Sequence, residues 1–92
     1  MKQIERIRHM EQLLNRVSAA VTELSDTPGP TDEIQEAADE LKEYYGSDEW
    51  KQDFADDEAG LLPHDLKRGV LSEDGIWNAL DEWDELKDRL QK

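Results

Sequence analysis

The sequence predicts an all-α fold, a small bundle of three main helices plus one short helix. Three observations point there. Apolar residues recur every three or four positions in separate stretches, and a helix-capping residue stands before each of the later stretches. No run alternates apolar and polar residues in the way a half-buried strand does. At 92 residues the chain reads as one domain, 1–92.

The first helix is expected over about residues 3–25, roughly 33 Å at 1.5 Å per residue. Ile7, Met10, Leu14, Val17, Val21 and Leu24 follow the a/d spacing, and Leu13 and Ala20 widen the stripe to the core-facing kind. Three heptads are also the minimum for a dimer seam, so the stripe serves either an intramolecular core or a second copy. Ser25-Asp26-Thr27-Pro28-Gly29-Pro30 ends the helix, because two prolines around a glycine cannot continue it. The second helix spans about 31–45, with Thr31 as N-cap and Ile34, Ala37, Ala38, Leu41, Tyr44 and Tyr45 on one face. Gly46 is expected to stop it in the left-handed conformation, and Ser47 to cap a short third helix over 47–57 carrying Trp50 and Phe54. Residues 61–71 read as a packed turn without a clear period. Ser72 caps the last helix, about 72–91, whose stripe is Ile76, Ala79, Leu80, Trp83, Leu86 and Leu90. Trp77 falls on the flank of that stripe, and Lys87, Arg89 and Lys92 complement the negative end of the helix. The first and last helices are expected as antiparallel neighbours, or flanking the middle pair.

Charge narrows the functional classes. The chain holds 24 acidic and 11 basic residues, a net charge of −13. Residues 26–60 alone carry thirteen acids against two bases. Such a balance opposes direct binding to phosphate backbones and to anionic membranes, both of which need Lys and Arg. With no cysteine there is no disulfide, thiolate zinc site or thiol nucleophile. The opening stretch MKQIERIRHMEQLL is amphipathic and lacks the apolar core of a secretory signal, so a cytoplasmic location is expected.

Tyr45-Gly46-Ser47-Asp48-Glu49-Trp50, then Asp57-Glu58-Ala59-Gly60, then Leu66-Lys67-Arg68-Gly69-Val70-Leu71-Ser72-Glu73-Asp74, form a signature. With the long heptad-like first helix and the last helix, it resembles a family of small bacterial proteins catalogued only as a domain of unknown function. The resemblance spans nearly the whole chain. It implies a bacterial, cytoplasmic helical protein and carries no reaction, cofactor or catalytic residue.

Candidate sites are few. Asp53, Asp56, Asp57 and Glu58 place carboxylates on neighbouring turns, a possible hard-cation site set against a solvated acidic face. The spacing is not that of an EF-hand: with Gly60 at loop position 6, Ala55 and Ala59 occupy ligand positions. His9 and His64 lack the Glu-x-x-His spacing of a di-metal bundle and read as surface residues. No serine stands in a nucleophile elbow. Non-catalytic function without cofactor is therefore expected. Trp50 and Trp77 are candidate interface anchors, and Lys67 and Arg68 either pair with an acid between Asp48 and Glu58 or face an acidic partner. The expected role is a protein-interaction module whose partner carries a basic surface or is a second copy. Two alternatives remain: a nucleic-acid mimic of the phage anti-defence type, inhibiting a DNA- or RNA-binding protein, and a divalent-cation-binding bundle. A mimic requires carboxylates along one contiguous face; an interaction module is compatible with acidity on every exposed face.

Overall fold

The apolar stripe of the first segment is wide enough to meet two neighbours, and the fold uses it so. The computed structural model describes residues 3–26 and 31–90. The elements are α1 (Gln3–Asp26), α2 (Asp32–Tyr45), α3 (Asp48–Glu58), a 3-10 turn (Gly69–Leu71) and α4 (Glu73–Leu90). Helix accounts for 83% of the described residues, with no strand among them, so the fold is all-α. Each described helix end lies within one residue of the boundary expected from sequence. The expected breaker is 25–30; α1 runs through Ser25 and Asp26, and residues 27–30, like the tail 91–92 with Lys92, lie outside the described residues.

α1 packs against both α2 and α4. α2 runs antiparallel to α1, since His9 meets Glu40 and Arg6 lies near the Tyr44 end. The 3-10 turn that leads into α4 is bonded to Glu11, and α4 runs antiparallel to α2, with Trp77 near Tyr45 and Trp83 bonded to Gln35. The first and last helices are therefore neighbours running in the same direction, which corrects the antiparallel expectation. The reason is that α3 and residues 59–72 stay at one end of the bundle instead of running its length.

Leu14, Val17, Leu41, Ile76, Leu80 and Trp83 are all buried in one core, together with Ile7, Leu13 and Ala20. Met10, Val21 and Leu24 are partly buried against it. The heptad stripe of α1 is thus spent inside the chain. The segment without a clear period contributes Leu62, Leu66, Val70 and Leu71 to the same core, a share that periodicity does not reveal because the backbone there is mostly non-helical.

Caps follow the sequence at two places and depart from it at two. The Ser47 hydroxyl oxygen accepts from the Trp50 N–H at 3.2 Å and donates to the Tyr44 carbonyl at 2.6 Å. Ser72 accepts from the Gly75 N–H at 3.2 Å. Thr31 makes no side-chain capping bond; its carbonyl takes the Gln35 N–H, and Asp32 and Glu33 supply the charge favoured at a helix start. Gly46 is not left-handed, with φ −88°. The left-handed stop belongs to Gly60, φ 74°, where the N–H of Leu61 bonds the Asp56 carbonyl and that of Gly60 the Asp57 carbonyl, a Schellman closure of α3.

Two alanine substitutions should therefore differ in sign. Gly60→Ala is expected to cost about 1–2 kcal/mol, the strain of an L-residue in that conformation. Gly46→Ala, whose Cβ would meet nothing closer than 3.7 Å, should stabilise by about 0.4–1 kcal/mol by restricting the unfolded chain. Urea midpoints of the two variants check this, and equal shifts would contradict the assignment.

Candidate interaction surface

The acidic cluster on α3 is divided among different tasks. Trp50, Asp53, Phe54 and Asp57 share one face of α3 by their i, i+3, i+4, i+7 spacing. That face closes the end of the bundle, so Asp53 is driven into the core and is fully buried. Four donor contacts meet its carboxylate: Arg6 Nε at 3.0 Å and Nη2 at 2.6 Å, Tyr44 Oη at 2.6 Å and Gln3 Nε2 at 3.0 Å. α1, α2 and α3 are thereby joined at one carboxyl group. Burial alone would push that carboxyl up, but the bonds from Arg6, Tyr44 and Gln3 and the Arg6 charge more than offset it and hold Asp53 below its ordinary value. The Tyr44 hydroxyl is pushed up by burial and by its bond to Asp53, so it stays a donor.

The sign of the pH dependence follows. A carboxyl depressed in the folded state contributes stability that is complete above the unfolded aspartate value of about 3.9 and is lost as pH falls through the lower folded value. The stability gap between the wild type and Asp53→Asn is expected to be constant from about pH 5 to about pH 7 and to narrow below about pH 4. Unfolding curves across that range provide the check; a gap that widens in acid would contradict it.

The remaining members of the cluster go elsewhere. Asp57 pairs with Arg68 at 2.5 Å, the ion pair expected between the basic dipeptide and α3. Arg68 also donates to the carbonyls of Pro63 and Leu66, which fastens the loop after α3. Asp56 accepts from Gln3 and Gln52, and Glu58 is exposed. Among the described residues no group of three or more His, Cys, Asp or Glu is placed to hold a metal ion. Of the four candidate cation ligands, Asp53 and Asp57 are engaged by arginines, Asp56 by glutamines, and Glu58 faces the surface.

The signature owes its residue types to the same fastening. A Cβ on Gly69 would stand 2.9 Å from a Glu11 carboxylate oxygen, so glycine lets that carboxylate reach the Val70 N–H at 2.9 Å. The Val70 carbonyl in turn takes the Trp50 indole N–H at 3.0 Å. Trp50 packs edge-on to Tyr45 with ring centres 4.9 Å apart and stacks on Phe54 at 5.1 Å. Trp50 is thus a buried anchor of the fold, which corrects its placement as an interface candidate. Arg68 is likewise tied inward, whereas Lys67 is exposed and free of ion pairs among the described residues.

Trp77 differs from these. It is 55% exposed on α4, while Trp50 and Trp83 are buried. Leu61 is exposed at 71%, but its N–H closes the α3 turn, so backbone geometry accounts for its position. Trp77 lines a cleft between α2 and α4 together with Lys42, Tyr45, Leu80, Asp81 and Asp84. Asp84 is bonded to Lys42 at 3.2 Å and lies 3.8 Å from Lys87. The Asp81 side chain makes no hydrogen bond or ion pair among the described residues. The spacing Asp74, Trp77, Asp81, Asp84, Asp88 aligns one face of α4, a signal the sequence contains and the core stripe beside it conceals.

Exposed carboxylates occur on all four helices, and the chain carries 24 acids against 11 bases, so self-repulsion is unscreened at low ionic strength. Added salt, with a Debye length of about 8 Å at physiological strength, is expected to raise the melting temperature; a melting temperature independent of salt would show the charges to be balanced.

These features define an acidic all-α domain in which helix ends are joined through buried polar bonds. The chain belongs to the family described as Domain of unknown function (DUF4298), matched over residues 7–92. Comparison with curated proteins and with solved structures returns no match. Among the described residues no helix is long and apolar enough to cross a membrane.

Proposed function

We propose that the chain is a non-catalytic protein-interaction domain of the cytoplasm that docks a partner with a basic surface through the α2–α4 face. The observation that carries this reading is the exposed indole of Trp77, set in a cleft with Tyr45 and Leu80. An indole left in water forgoes a large burial gain, and tryptophan is the residue most enriched where interfaces concentrate their energy. The net charge of −13 favours a cationic partner over a second copy. Arg6 and Tyr44, whose titration is displaced, both bond Asp53 inside the fold, which favours a structural over a catalytic use of the three. Carboxylates spread over four helices fit an interaction domain better than a single duplex-like row.

The test is a pull-down from the native host with the tagged chain and its Trp77→Ser variant, both confirmed helical by circular dichroism. A protein retained stoichiometrically by the wild type and lost with Trp77→Ser supports the reading. Capture insensitive to Trp77, or no capture, counts against it. A captured protein displaced by duplex DNA establishes the mimic in its place.

A further inference from the structure

We infer that the Trp77 cleft seats one arginine side chain of the partner, its guanidinium stacked on the indole and paired with Asp81; this rests on the interaction role proposed above. Three observations converge on an arginine. The cleft offers an aromatic face, with Tyr45 and Leu80 to receive an aliphatic stem. Its two acids differ: Asp84 is already bonded to Lys42, whereas Asp81, one helical turn from Trp77, has no partner among the described residues. The chain's net charge of −13 draws cations to the surface, and Asp74 adds a third carboxylate on the other side of Trp77 along α4. Arginine fits better than lysine because its planar, weakly hydrated guanidinium can stack on a ring and hold a carboxylate together.

The probe is a blocked Gly-Leu-Arg-Leu-Gly peptide, compared with the same peptide carrying neutral citrulline in place of arginine. The readout is the Trp77 indole N–H resonance of the full chain at physiological salt, identified by its disappearance in Trp77→Ser. The arginine peptide is expected to shift it saturably and the citrulline peptide to bind several-fold more weakly. Asp81→Asn should weaken binding about two- to five-fold, the scale of an exposed ion pair, while Glu82→Gln, on another face of α4, leaves it unchanged. Equal binding of the two peptides, no saturable shift, or indifference to Asp81→Asn overturns the inference. A Trp77-dependent pull-down with a cleft blind to arginine removes this inference and leaves the interaction role standing. An arginine-selective cleft without any Trp77-dependent partner removes the role and leaves the arginine seat.

Discussion

Arg6→Met is expected to destabilise the fold by about 3–5 kcal/mol, the range for removing one partner of a buried ion pair. Asp53 would remain fully buried with only Tyr44 and Gln3 as donors. Part of the surrounding support would go as well, since Arg6 also reaches Glu49 at 3.2 Å. A domain of this size has about 5–14 kcal/mol in total, so the loss is a large fraction. The charge deficit is separable from lost packing. In the double variant Arg6→Met, Asp53→Leu no buried charge is left, and much of the stability should return. Equilibrium urea unfolding of the wild type, both single variants and the double variant completes the cycle. A cost for Arg6→Met below about 1 kcal/mol would mean that the pair behaves as an exposed one and that water reaches Asp53.

Trp83→Ala should be comparably severe, about 3–5 kcal/mol, because it empties the largest fully buried side chain of the core. It also leaves Gln35 without the indole N–H it accepts at 3.2 Å. Fluorescence checks the placement independently. A variant retaining only Trp83 should emit in the blue range of a buried indole, and one retaining only Trp77 in the red range of a solvated one. Unfolding midpoints then measure the energetic cost. Similar emission from the two single-tryptophan proteins would contradict the contrast on which both the core and the interaction surface are built.

The core was legible because amphipathic periodicity is a property of one helix at a time. The stripe Ile76, Ala79, Leu80, Trp83, Leu86 and Leu90 identifies its own core face without reference to any partner; the first five are buried and Leu90 is partly buried against them. The caps Ser47 and Ser72 were legible for the same reason, since a hydroxyl and the N–H three residues on belong to one local geometry. The left-handed stop was expected at Gly46 and falls at Gly60, because composition tells that a glycine permits a left-handed turn and not which glycine the chain bends at.

Asp53 marks where local reading ends. In sequence it is one acid of a dense cluster, and its i+3 relation to Trp50 was the available sign that it faces inward. Its meaning depends on Arg6, 47 positions away, and on Tyr44 at the end of another helix. Trp50 and Trp77 show the same division: both are tryptophans on helices, and only the packing of α3 against the Gly69–Leu71 turn buries the first and leaves the second in water. By itself the sequence determined the helices, their apolar faces and the excess of negative charge, all of which are set by residues near one another in the chain. The tertiary structure alone decided which carboxylate becomes a buried clamp and which aromatic stays on the surface, because burial of a polar or aromatic side chain depends on partners that only folding brings within bonding distance.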